Sequence, residues 1–209
     1  MLTISSIDTP QKKSNLRRVY FSETGEYEKI PQQVVRLHDL SVGMSFNSLE
    51  EFHALVSNDQ YNLAKERALR ILARSEKTTH EVSKKLKEDG YFETTISEVI
   101  SFLEEYKLCD DADFASRYVQ QQLSLGLPPQ KIKFKLSQRG ISRDLICELL
   151  DNLQSEESQS ALFEKGTKLI EKFDLSTRKE FEKALRKLMG RGYSFDEAKR
   201  IINSQQDRG

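Results

Sequence analysis

Tryptophan is absent from this chain of 209 residues, and cysteine, histidine and proline number only two, three and four. Cys109 and Cys147 form no CxxC pair, and two thiols cannot knit a disulfide scaffold, so both read as reduced and half-buried. His38, His53 and His80 lack the spacing of metal ligands, and no metal or cofactor is expected. An excess of one charge is also missing, since 33 Lys and Arg balance 33 Asp and Glu. A protein that wraps bare duplex DNA is usually clearly basic, so overall charge gives DNA no support as the sole partner. No run of about 18 apolar residues exists to span a membrane. The opening MLTISS has no apolar stretch of the secretory type, and the expected location is cytoplasmic. Gly190-Arg191-Gly192 lacks the remainder of a dinucleotide fingerprint, and no nucleophile signature is present, so the sequence reads as that of a binding protein rather than an enzyme.

Charge and helical periodicity are abundant. Charged residues make up 32% and hydrophobic residues 37%, with a mean hydropathy of -0.63. That composition disfavours one deep core and favours a thin, elongated, helix-rich molecule. Residues 1–46 differ from the rest. Val19-Tyr20-Phe21 and Glu26–Ile30 read as two strands joined by a turn at Ser22-Glu23-Thr24-Gly25. Pro31 interrupts, and Val34–Leu37 resumes as strand or short helix. From Ser48 onward the period is helical. Capping boxes, in which each side chain satisfies a free N–H at a helix start, are expected at Ser48/Glu51, Thr78/Glu81, Thr95/Glu98, Thr177/Glu180 and Ser194/Glu197. Pro128-Pro129 suits another helix start. Four apolar stripes read as core: Ala64, Ala68, Leu69 and Leu72; Phe114, Ala115, Tyr118 and Val119; Leu145, Ile146, Leu149, Leu150 and Leu153; and Leu169, Ile170 and Phe173.

Three segments of the chain repeat. A Lys-Leu pair (Lys85-Leu86, Lys135-Leu136, Lys187-Leu188) stands four residues before a glycine (Gly90, Gly140, Gly192). An apolar or aromatic residue (Tyr91, Ile141, Tyr193) follows each glycine. The period of about 50 residues holds three short helices, with the glycine ending the middle one in a left-handed conformation. The expected fold is mainly α: three tandem three-helix repeats in an elongated, curved array, behind a small β-rich N-terminal module. The expected divisions are 1–57, 58–108, 109–155 and 156–209.

These residues resemble the RecX family of RecA regulators. The stretch from Thr3 to Tyr27 is similar to the strand-forming lead of longer members. Ala68–Ser75, then Glu81–Leu86 with Gly90-Tyr91, fall in the family's order. The best signature is Leu108-Cys109-Asp110-Asp111-Ala112-Asp113-Phe114-Ala115. Gly126, Ile132, Leu136, Gly140-Ile141, Leu188 and Arg191–Ser194 follow at the family's spacing. The family's arginine-rich run is reduced here to Ala73–Thr78, and Met189-Gly190 is an unexpected step. Nothing in the sequence demands a dimer, so a monomer is expected, and the resemblance implies that it binds the RecA filament on single-stranded DNA. It also implies that RecA's strand exchange, ATPase and coprotease activities are lowered, with at most weak direct contact to single-stranded or duplex DNA.

The candidate partner contacts are basic: Lys84 and Lys85 in the first repeat; Lys131, Lys133, Lys135, Arg139 and Arg143 in the second; Lys187 and Arg191 in the third. Between Gln130 and Arg143 there is no acid, though an ordinary solvated helix face can look the same. Glu104–Asp113 is mostly acidic, so the surface carries both signs. Asp110 and Asp111 read as caps of a helix beginning near Asp113 rather than as a catalytic pair. Phe114 reads as core. Tyr91 and Tyr193 could stack on bases, but the matching Ile141 marks a packing slot. The rival reading is a helix-turn-helix-like protein that binds DNA independently of RecA.

Overall fold

In Leu16–Phe21 every second residue from Arg17, namely Arg17, Val19 and Phe21, is buried, the period-two pattern of a half-buried strand. The computed structural model describes residues 1–8, 15–23, 25–153 and 155–206. Thr24 of the expected turn, residues 9–14 of the lead segment and the side chain of Leu153 lie outside the described residues. Strands β1 (Leu2–Ile7), β2 (Leu16–Phe21), β3 (Tyr27–Pro31) and β4 (Ser45–Phe46) form an antiparallel sheet in the order β3-β2-β1-β4. The expected hairpin is β2-β3, with Val19 opposite Glu28 and Tyr20 opposite Tyr27. Val34–Leu37 is helical, within α1 (Gln32–Leu37). Pro31 before it provides no N–H and has a polyproline-like backbone suited to a helix start.

The sheet covers its apolar face with α1 and the first half of α2 (Leu49–Arg74). Phe52 meets Phe21 and Phe46 edge-on, each at 5.3 Å. Buried residues of α2 recur at Phe52, Val56, Gln60, Ala64, Ala68 and Ile71, a single stripe along 26 residues. The first two belong to the sheet's core, and the last three to the core shared with α3 (Thr79–Glu88) and α4 (Glu93–Glu105). Leu69, expected in that stripe, is 39% exposed. Ile71 fills the position, because the stripe advances by three residues after Ala68 rather than four.

The chain divides into two compact units, Met1–Asp110 and Asp111–Gly209. The second contains α5 (Asp111–Ser124), α6 (Pro129–Gln138), α7 (Arg143–Leu153), α8 (Glu156–Ile170), α9 (Arg178–Gly190) and α10 (Phe195–Gln206). One core joins α5, α6 and α7 and another joins α8, α9 and α10. Helices of the second unit come close at Gly126, whose φ is +65° and where a Cβ would lie 2.5 Å from the backbone oxygen of Ala161.

The helix starts follow their caps. Thr78/Glu81 and Ser194/Glu197 form both halves of a capping box. Ser48 and Thr177 accept from the N–H of Glu51 and Glu180. The Glu51 carboxylate accepts instead from Asn47 N, one residue early. Thr95 is not a cap. It is buried in α4, which starts at Glu93, and Gln60 from α2 supplies its oxygen to the Phe92 N–H at 3.1 Å. Helix α5 starts at Asp111, placing Asp111 and Asp113 in the first turn. Phe114 is buried, as expected. Cys109 is fully buried rather than half-buried, and its Sγ donates to the Lys77 carbonyl.

Candidate partner-binding surface

The three glycines set the geometry of the middle helices. Gly90, Gly140 and Gly192 have φ of 85°, 83° and 99°. At each, the residue after the glycine donates its N–H to the carbonyl of the leucine five residues earlier: Tyr91 to Leu86, Ile141 to Leu136 and Tyr193 to Leu188, at 3.1, 3.1 and 3.2 Å. The glycine N–H itself donates to Lys87, Ser137 or Met189. This is the six-to-one and five-to-two pairing of a Schellman cap, made three times, and the three leucines are all fully buried. Ile141 and Tyr193 are buried behind their glycines, and Tyr91 packs half-buried against its core. Burial pushes both tyrosine hydroxyls up to about 12, and Tyr193 donates to the Leu162 carbonyl at 3.2 Å. The Tyr193 ring is buried and offers no open stacking face, whereas Tyr91 is partly exposed.

The repeated cap puts α6 in the same register as α3 and α9. Ile132 and Leu136 face its core. Lys131, Lys133 and Lys135 line the half-exposed flanks, and Arg143 is exposed at the start of α7. Among the described residues, Lys131, Lys133 and Lys135 make no ion pair, whereas Lys168, Arg178 and Lys183 each hold a carboxylate on their own helix. Pro128 and Pro129 open α6 without an acid in its first turn. Uncompensated cations of this kind favour an anionic partner.

The expected basic residues are not equivalent. Lys133 Nζ lies 3.0 Å from the Cys147 sulfur. The Arg139 guanidinium stacks on the Phe114 ring, 4.1 Å from its centre, so its side chain also covers the core. Lys187 leans over Phe173 at 5.0 Å. Gly192 packs against the start of α6, where a Cβ would meet Lys131 Cβ at 3.3 Å and Pro128 Cβ at 3.6 Å, and Arg191 before it is exposed. Lys84 and Lys85 are exposed on α3 in the other unit.

Phe134 was not among the sequence candidates. It sits between Lys133 and Lys135 and is 62% exposed. The signal was in the repeat: two residues before the capped leucine, the other copies have Lys84 and Arg186.

Among the described residues, no cluster of His, Cys, Asp or Glu is placed to hold a metal ion, and no helix is long and apolar enough to cross a membrane. Fold and surface together define a tandem three-helix-repeat protein with an N-terminal sheet and a cationic face on α6. The first and second three-helix domains of RecX match residues 64–103 and 110–150. The chain is 31% identical to a Regulatory protein RecX of Clostridium perfringens (strain SM101 / Type A), covering 95% of this chain and 94% of that one. It is 33% identical to that of Clostridium tetani, covering 92% and 90%. The chain belongs to the RecX family. A crystal structure of RecX from Lactobacillus salivarius superposes with a TM-score of 0.60 at 27% identity, over 70% of this chain and 97% of that one. Another RecX crystal structure gives a TM-score of 0.61 over 97% of this chain and all of its own, and at 23% identity it shows the fold.

Proposed function

We propose that this chain binds the RecA filament on single-stranded DNA and lowers RecA's recombinase, ATPase and coprotease activities. It acts as a cytoplasmic monomer without a cofactor. Its repeats are taken as residues 58–108, 109–155 and 156–209. The observation that carries this reading is the set of cations on α6, Lys131, Lys133 and Lys135, that make no ion pair among the described residues, in a chain whose relatives are regulatory proteins. An anionic polymer or an acidic rim on its protein coat would compensate them, and charge matching of this sort speeds docking and fixes its register.

The test is RecA ATPase on single-stranded DNA, titrated with this protein. Replacing Lys131, Lys135 and Arg143 together by Glu leaves Lys133 and Arg139 in their internal contacts. The concentration needed for half-inhibition should rise by roughly tenfold or more, equivalent to about 1.4 kcal/mol, with the helical circular dichroism unchanged. If the triple variant inhibits as well as the wild type, α6 is not the contact. Salt-sensitive nanomolar affinity for duplex DNA without RecA would favour the helix-turn-helix-like alternative.

A further inference from the structure

Phe134 is an exposed phenylalanine that the fold does not require. It belongs to no core cluster, and the matching positions of the other repeats hold Lys84 and Arg186, both solvated. A position that accepts two cations in a near-identical capped helix is a solvent position. Burying an aromatic ring is strongly favourable, so a ring left 62% exposed there forgoes that gain.

The surroundings of Phe134 narrow what could cover it. One turn away on its own face lie Gln130, Ser137 and Gln138, all exposed, polar and uncharged. Lys131, Lys133 and Lys135 flank them without ion pairs among the described residues. A protein pocket that accepts a phenylalanine anchor is normally met by a ring of further apolar contacts, which this face lacks. A single aromatic face, amide side chains able to pair with base edges, and cations spaced along one helix match a stacking platform for an unpaired strand.

We infer that the α6 face binds single-stranded nucleic acid directly, with a base stacked on Phe134 and the phosphates facing Lys131 and Lys135. Duplex DNA does not fit this contact, because its bases offer no free face. The inference rests on the reading proposed above and adds which component of the filament α6 touches.

The experiment omits RecA. Fluorescence anisotropy would follow the full chain binding a labelled oligothymidylate of about 20 nucleotides, longer than the ~4–16 that one such platform occupies. Parallel titrations would use a duplex of equal length. Phe134→Ala should weaken oligothymidylate binding on the order of tenfold, while Phe134→Trp retains it. Duplex binding should be the same in all three proteins, and the slope of affinity against salt should not change, because no phosphate contact is removed. Oligothymidylate binding that is absent in the wild type, or equal in the wild type and Phe134→Ala, overturns the inference. If Phe134→Ala binds the strand normally yet loses RecA inhibition, the ring seats in a protein pocket. The inference then fails while the proposed function stands. If Phe134→Ala loses strand binding while the triple charge reversal still inhibits RecA, the inference survives and the α6 contact with RecA does not.

Discussion

Gly126 and Gly140 both have a left-handed backbone, yet substitution should cost very different amounts. At Gly140, exposed beyond the end of α6, an added Cβ incurs the left-handed penalty, about 1–2 kcal/mol for Ala. At Gly126 the Cβ would also press on backbone atoms of Ala161 and Leu162 at 2.5–3.1 Å, and backbone cannot rotate aside. Urea unfolding should therefore show Gly140→Ala destabilised by about 1–2 kcal/mol, and Gly126→Ala by about 3 kcal/mol or more. Equal losses would mean that the approach of α8 is not fixed at Gly126. The sequence makes the cap glycines legible, because Lys-Leu and an apolar residue bracket each one. Gly126 shows no such signal. Its need comes from a helix 35 positions later, at Ala161. Phe134 hid for a related reason: apolar residues inside a helical stretch read as core unless the copies are compared position by position.

Among the elements, the starts of α3 and α10 were readable as Thr78/Glu81 and Ser194/Glu197 because a capping box is complete within four residues. The start of α4 was not, because its capping oxygen comes from Gln60, 32 residues away and buried. The strands divide the same way. The β2-β3 hairpin closes locally, whereas β1, with its two serines, and the two-residue β4 are strands only because they pair with each other and with β2. The caps differ in their consequences. Thr78→Ala removes a local cap and should cost about 1 kcal/mol. Gln60→Leu removes the acceptor of a buried N–H and should cost about 1–3 kcal/mol. Hydrogen exchange should locate the second loss at the amides of Phe92 and the first turn of α4. An unchanged exchange rate there would deny Gln60 its capping role.

At the scale of the molecule, the core clusters of the described residues fall two within Met1–Asp110 and two within Asp111–Gly209. Each unit therefore contains the apolar burial it needs, and residues 1–110 and 111–209 should each fold when made alone. Circular dichroism of the two fragments should sum to that of the whole chain, and each should melt cooperatively. A fragment that remains a molten coil would show that its stability is borrowed from the other. Threefold repetition with a glycine at each cap was plain in the sequence. The grouping of the first repeat with the sheet was not, because it depends on one helix serving two cores.

That helix makes unit one intolerant of length change. From Phe52 to Ile71 a single stripe runs through both cores, with Gln60 at the crossing. An α-helix turns about 100° per residue. One residue inserted or deleted between Val56 and Ala64 would swing the lower half of the rod about a quarter turn against the upper half. Either the sheet or the α3-α4 pair would then lose its seat. Substitutions can accumulate along the outer face of α2, but its residue count is locked like the teeth of a gear that drives two wheels.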